Sequence, residues 1–295
     1  MILCSTIIPT VNRPTLARAV NSVLQQQLDD DAWEVIVVND SGSPLPEANW
    51  QKSPFVTVVN TNRCERSAAR NVGAALAKGK FLHFLDDDDY ILPGAYEALS
   101  QVAQSSACCW VYGGYRTVDD QEVLVSEIRP LVSGNLFALF VVGEAVPLGA
   151  SWIRRGVFYQ AGCFDSSLIV TEDRDLGRRI AFLGDICGTK EIVACFRVVH
   201  RTTTTGWSEA DVADRLGREK ALDLHGALAR MQDSVRGNTP MRGRGCRAYV
   251  ASAMVNLRTG NYLKVVSRLL FCARLAGLYA FTPGFWRGMR IRVRS

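Results

Sequence analysis

Residues 81 to 90 read FLHFLDDDDY, an apolar run that passes directly into four consecutive acids. Carboxylates packed this closely repel and raise one another's pKa, so the run is costly unless water or a cation screens it. Two readings follow. The acids form a solvated turn or complement a helix N-terminus ahead of Pro93, or Asp86 and Asp88, as alternate residues, address one hard divalent cation together with a bound diphosphate. The flanks show where in a fold the run sits. KFLHFL reads as a buried strand, and the helix pattern RSAARNVGAALAKG before it places Ala69, Val72 and Leu76 inward. Upstream, ILCSTIIP is a strand, RPTLARAVNSVLQQQ a helix, and WEVIVVND and FVTVVN two further strands. Strands alternating with helices predict an α/β protein with a doubly wound, mostly parallel sheet. Ligands of such sheets bind beyond the carboxyl ends of the strands. Pro9-Thr10, Asp40 and the run beginning at Asp86 all follow strand ends, so three polar clusters are expected at one edge.

The chain has 295 residues, 48% hydrophobic and 21% charged, the composition of a folded domain rather than a disordered segment or an integral membrane protein. The start, MILCSTIIPTVNRP, has no basic n-region or cleavage site, and Ser5, Thr6 and Pro9 interrupt its apolar stretch. It is read as neither a signal peptide nor a membrane span, and a cytoplasmic location is expected. The nine cysteines include no C-x-x-C pair and are read as reduced and mostly buried, with zinc disfavoured. The net charge of +5 is uneven, since the terminal FWRGMRIRVRS carries four arginines and no acid.

After a strand at CCWVYGGY, VDDQEV suggests a hairpin turn, and residues 126 to 150 are irregular and apolar. In TEDRDLGRRIAFLGD, Leu176, Ile180 and Leu183 form an inward helical stripe. Beyond Trp207 the pattern is helical, with VRGNTPMRGRG as the expected linker.

The segments IIPTVNRP, VIVVNDSG, RSAARNVGAALAKGKFLHFLDDDDY, AGCFDSSL and TEDRDLGRRIAFLGD occur in an order that resembles the family two, GT-A type glycosyltransferases. The resemblance covers residues 1 to about 205 and implies a GT-A catalytic domain there. Residues 1–115 would be the nucleotide-sugar-binding half, 116–205 the acceptor half, and 206–295 a helical C-terminal appendage with a basic tail. It implies inverting transfer from a nucleoside diphosphate sugar to an acceptor hydroxyl of a glycan or glycolipid, with Mn²⁺ or Mg²⁺ as cofactor. By the same resemblance Pro9, Thr10 and Arg13 surround the nucleotide, Asp40 meets its base or ribose, and Arg70 lies near the diphosphate. The acid run corresponds to the family's D-x-D signature, with Asp88 the main metal ligand beside Asp86 and with Asp87 on the donor. Asp173 of the Glu172-Asp173 pair would be the general base, and His200 would face the metal or the diphosphate. On the residues alone, the two acids equally favour a helix N-terminus behind Thr171 as cap, and His200 is equally a structural histidine. His83 is assigned to packing. The sequence departs from the family pattern at Val11, where an aromatic residue is frequent, at Glu65, where glycine is frequent, and at Gly177, where tryptophan is frequent.

Two rivals belong to other classes. A Mg²⁺ phosphotransferase of the D-x-D-x-T type wants threonine or valine where Tyr90 stands and a single acidic cluster. A nucleic-acid binder would use the basic tail, but no recognition motif accompanies it, and no nucleic-acid partner is expected. In YLKVVSRLLFCARLAGLYAF, Lys264, Arg268 and Arg274 are read as a polar stripe. With the aromatic and arginine-rich tail, this suits either peripheral contact with an anionic membrane surface or a helix packed on the catalytic domain with a solvated tail.

Overall fold

A computed structural model describes residues 2–27, 32–129, 132–197 and 209–290. The chain opens with β1 (Cys4–Thr10), α1 (Leu16–Leu24), β2 (Trp33–Asn39), β3 (Val56–Asn60), α2 (Arg66–Leu76) and β4 (Phe81–Phe84). The short β5 (Tyr90–Ile91) and α3 (Ala95–Ser105) follow, then β6 (Trp110–Val118), β7 (Leu124–Ile128), α4 (Phe137–Val141) and β8 (Ser151–Arg154). Next come α5 (Arg155–Gln160), α6 (Glu172–Leu183) and β9 (Ile186–Arg197), and the remainder is helical: α7 (Glu209–Asp223), α8 (Ala227–Ser234), α9 (Thr239–Arg258), α10 (Tyr262–Ala276) and α11 (Pro283–Arg290).

Among the described residues one sheet runs β3-β2-β1-β4-β8-β6-β9-β5, with β7 paired to β6. The longest ladders are parallel, β1 with β2 and β6 with β9, while β8 joins the two parallel blocks in antiparallel fashion. This is the mixed, mostly parallel sheet of a GT-A fold. Side chains alternate across each strand, so Ile7 belongs to the core on one face and Ile8 to the core on the other. Burial on both faces is why VIVV in β2 is continuously apolar.

Several helices turn faces other than those the spacing suggested. In α2 the buried face is Ser67, Ala69, Arg70, Gly73 and Ala74, while Leu76 is exposed. Small residues are required there because a Cβ at Gly73 would lie 2.4 Å from Ile7 Cγ2. In α6, Leu176 and Ile180 are buried but Leu183, in the last turn, is exposed. The proposed linker is corrected too: residues 239–245 lie inside α9. Gly243 and Gly288 sit where α9 and α11 touch, and a Cβ on either would come within 2.2 Å of the other helix's backbone. These glycines serve close approach rather than flexibility. The core under the sheet runs on into the C-terminal helices through Met231, Tyr249, Leu275 and Phe285.

The cysteine reading needs one correction. Cys108, just ahead of β6, and Cys187, in β9, form a disulfide with their Cα atoms 5.9 Å apart. The other seven cysteines are free thiols. No described helix is long and apolar enough to cross a membrane.

Candidate functional site

Strands β1, β2 and β4 are parallel neighbours, so their carboxyl ends deliver Thr10, Asp40 and the acid run to one edge. A cavity of about 730 Å³ opens there, lined by Pro9, Thr10, Arg13, Asp40, Asp86, Asp87 and Asp88 among others. The buried Thr10 hydroxyl donates to Asp87 Oδ2 at 2.5 Å and accepts from Asn12 N at 2.9 Å. Arg13 Nη1 donates to Asp87 Oδ1 at 2.7 Å and to Asp88 Oδ2 at 3.0 Å. Asp40 accepts from Thr61 Oγ1 at 2.7 Å, Cys64 N at 2.8 Å and Glu65 N at 3.1 Å. Burial alone would raise the Asp40 carboxyl, but these donors outweigh it and hold the group below the usual range. Val11 is exposed at the rim.

The bonds from Cys64 and Glu65 to Asp40 shape the entry to α2, where Glu65 adopts φ 74°, ψ 155°. Glycine reaches such backbone angles without strain and glutamate does not. This accounts for the departure from glycine as a strained position. The departure at Gly177 has a packing reason: a Cβ there would lie 2.4 Å from Phe140 Cε1, so the ring fills the space beside that helix.

The four acids are divided by their neighbours. Asp89 N donates to Asp86 O at 3.1 Å, so the run is a tight turn rather than an extended strand. The turn sends Asp87 toward Thr10 and Arg13, and gathers oxygens of Asp86, Asp88 and Asp89 within 4.8 Å of one another. Asp89 is thus a third member of the cluster beyond the expected pair of Asp86 and Asp88. A turn signal after the strand, bringing residues three apart together, could have revealed it. Burial would raise Asp86, but the Arg70 guanidinium 2.6 Å away holds it below the ordinary carboxylate range. Asp87 is raised by burial despite Thr10 and Arg13. Asp89, desolvated and facing the Asp86 charge, is pushed up to about 8, although Arg197 N donates to it at 3.0 Å.

A smaller cavity of about 350 Å³ adjoins the first, lined by Asp86, Asp89, Gly149, Glu172, Asp173 and Phe196 among others. Glu172, buried, accepts from Arg70 Nη1 at 2.9 Å and pairs with Arg66 Nε at 3.1 Å. Asp173 accepts from its neighbour Arg174 N at 2.8 Å and has no ion-pair partner among the described residues. Of the two acids, Asp173 is therefore the one whose carboxylate is available to a ligand. Thr171 occupies the cap position without a side-chain cap bond, at φ 62°, a left-handed conformation unfavourable for a β-branched residue. Arg178 of α6 is buried against Asp214 of α7 and the carbonyl of Phe140, which anchors the helix carrying Asp173.

Arg70 lines the smaller cavity and bonds both Asp86, which lines the two cavities, and Glu172. The sequence offered no signal for Arg66, Glu172 and Arg70 as one network. Nor did it mark Glu122, which in the β6–β7 turn ties Arg18 at 2.6 Å to Arg197 at 2.5 Å. His83 is buried with its ring between Thr6 Oγ1, at 3.2 Å, and the carbonyl of Gly149, at 3.0 Å. His200 lies outside the described residues.

The family model described as Glycosyl transferase family 2 matches residues 5–158, which run from β1 into α5 and include the acid run. An uncharacterized glycosyltransferase of Haemophilus influenzae is 35% identical over 188 residues, covering 59% of this chain and 60% of that protein. The Escherichia coli UDP-Glc:alpha-D-GlcNAc-diphosphoundecaprenol beta-1,3-glucosyltransferase WfgD is 25% identical over 132 residues, 43% of this chain and 51% of its own length. The chain thus spans between half and two thirds of these two relatives. The crystal structure of S. aureus TarS 1-349 in complex with UDP-GlcNAc shares the fold with a TM-score of 0.65 at 15% identity, covering 91% of each chain. Through its match across residues 5–158, the chain belongs to glycosyl transferase family 2.

Proposed function

We propose that the chain transfers a sugar, with inversion, from a nucleoside diphosphate sugar to an acceptor hydroxyl of a glycan or lipid-linked saccharide, in a reaction that depends on a divalent metal. The observation that carries this reading is the pairing of two adjoining cavities. The larger has Thr10, Arg13, Asp40 and the acid run, and the smaller has an uncommitted carboxylate, Asp173. In this reading Asp40 accepts from the base or ribose, and Arg13 supplies positive charge beside the diphosphate. Arg70 is held by Asp86 and Glu172, so it acts by fixing those acids rather than by reaching the donor. Asp173 takes the proton from the acceptor hydroxyl as that oxygen attacks the anomeric carbon. The relative's printed activity, on a diphosphoundecaprenol-linked sugar, favours a lipid-linked acceptor.

The donor set suits a hard cation. Asp86, Asp88 and Asp89 offer oxygen ligands that lie within 4.8 Å of one another. Mg²⁺ or Mn²⁺, when bound by Asp88 with Asp86 and Asp89, would neutralise charge on the departing diphosphate. The test is thermal shift and calorimetry with UDP-glucose and UDP-GlcNAc, with and without Mn²⁺. The expected result is a donor-dependent shift that Mn²⁺ enlarges and Asp88→Asn reduces to the metal-free level. A donor shift indifferent to Mn²⁺ in the parent would overturn the metal dependence, and no shift with any nucleotide sugar would overturn the donor assignment.

A further inference from the structure

Of the polar stripe expected on α10, Arg268 and Lys264 turn toward α7, whereas Arg274 is exposed. Arg268 is buried, bonding Asp223 Oδ1 at 2.5 Å, Ser252 Oγ at 2.9 Å and the carbonyl of Leu222 at 3.1 Å. Lys264 also reaches Asp223, at 2.5 Å. Because Asp223 of α7 supplies the counter-charge, Lys264 and Arg268 face α7, while Leu263, Leu269 and Leu270 face away and Leu275 is buried. At 100° per residue, Tyr262, Leu263, Val266, Leu269 and Leu270 fall on a single face, and all five are exposed, Leu263 at 87%. The turn after α10 extends this surface with Leu278 and Phe281, exposed at 83% and 86%. In α11, Trp286 donates its indole N–H to the carbonyl of Ala280 at 2.7 Å and lines a shallow groove with Pro283, Arg287 and Arg290. Single exposed apolar residues are ordinary on a protein surface, but a whole helix face of them marks a contact surface.

Charge identifies the occupant. Residues 234–295 contain twelve lysines and arginines and no acid, so with a total of +5 the rest of the chain carries −7. Arg274 lies on the exposed apolar side of α10, and Arg287 and Arg290 are exposed on α11. A second copy seated face to face would set two strongly cationic segments against each other. An anionic bilayer attracts them, and its hydrocarbon edge accommodates leucine and phenylalanine side chains. We propose that the face formed by α10, the following turn and α11 is a membrane-docking surface that lies in the interface of an anionic bilayer, with its leucines and Phe281 in the acyl boundary and its arginines at the phosphates. None of these residues lines either cavity, so docking is independent of the transferase reading.

The experiment is co-sedimentation of the full chain with vesicles of phosphatidylcholine alone or mixed with phosphatidylglycerol, at low and moderate salt. The parent binds the mixed vesicles, more weakly at higher salt, and binds neutral ones poorly. Leu263→Glu with Leu270→Glu lowers binding about a hundredfold or more, since two exposed leucines no longer leave water. The circular dichroism spectrum of this variant stays parental because neither side chain is buried in the free protein. Arg287→Gln with Arg290→Gln weakens binding about fivefold per charge on anionic vesicles only. Inorganic phosphate at matched ionic strength does not displace the protein. Absence of vesicle binding by the parent, equal binding by the Leu263→Glu/Leu270→Glu variant, or displacement by phosphate alone would overturn the proposal. So would self-association in sedimentation velocity that the leucine changes abolish while vesicle binding is absent, which would assign the face to a second copy.

Discussion

The two neighbouring acids Glu172 and Asp173 separate structure from chemistry, and their conservative amides should behave oppositely. Glu172 is 6% exposed in its side chain and bound to Arg70 and Arg66. Glu172→Gln keeps one oxygen acceptor for Arg70 but removes the counter-charge of a guanidinium that is itself 4% exposed. Removing one partner of a buried pair costs about 3–5 kcal/mol when the other is stranded. Here Arg70 retains Asp86 at 2.6 Å, so the expected loss is smaller, about 2 kcal/mol, or roughly 4 °C in Tm for a chain of this size. Asp173→Asn breaks no ion pair, and its stability should stay within about 0.5 kcal/mol of the parent. If Asp173 is the base, its amide lowers single-turnover transfer by about 10²–10⁴-fold while donor affinity and Mn²⁺ dependence remain parental. The assays are urea unfolding, calorimetric donor titration with Mn²⁺, and single-turnover transfer, or slow donor hydrolysis where no acceptor is in hand. Near-parental turnover in Asp173→Asn would refute the base assignment. A loss of donor binding in that variant equal to that of Asp88→Asn would refute the division of labour between the cavities.

Three further outcomes follow from particular residues. Glu65→Gly should raise stability by about 1 kcal/mol in urea unfolding, because glycine removes strain at φ 74° that exceeds its own entropy cost; an unchanged or lower midpoint would contradict the strain. Gly177→Ala should cost about 1–3 kcal/mol by driving a methyl into Phe140, and Phe140→Leu in the same chain should recover part of the loss. His83, held neutral by burial with a pKa lowered from 6.5 to about 4, binds its proton in the unfolded chain before it can in the folded one. Its contribution is therefore intact above about pH 6.5 and declines as pH falls toward 4, by about 3 kcal/mol at most. The difference in unfolding midpoint between parent and His83→Gln should change across that window and be flat from pH 7 to 8.

The alternation of strands and helices in residues 1–115 was readable because buried parallel strands are continuously apolar, and the polar clusters stood out because each breaks such a run at its end. Asp89 was harder to read. Its place in the acid cluster depends on a turn between Asp89 N and Asp86 O, and alternation along a strand would have sent it elsewhere. Gly243 and Gly245 resemble a linker in composition, since a sequence does not distinguish a glycine that bends from one that lets two helices touch. The inward turn of Arg268 was hidden for a similar reason. Periodicity gives the angle between residues on a helix, not which side meets the protein, and Asp223, forty-five positions earlier, decides that. The Arg70, Arg66 and Glu172 network joins elements a hundred residues apart and leaves no local trace.

That shared guanidinium couples Asp86, which lines both cavities, to Glu172 of the smaller one. Asp86 and Glu172 compete for the hydrogen-bonding capacity of one side chain, so neutralising either leaves the other with a larger share of Arg70. The stability losses of Asp86→Asn and Glu172→Gln should then fail to add, with a coupling of about 0.5–3 kcal/mol in a double-mutant cycle. If the larger cavity takes the donor and the smaller the acceptor, a substitution at either acid changes the field in both, which ties the evolutionary freedom of one cleft to that of the other.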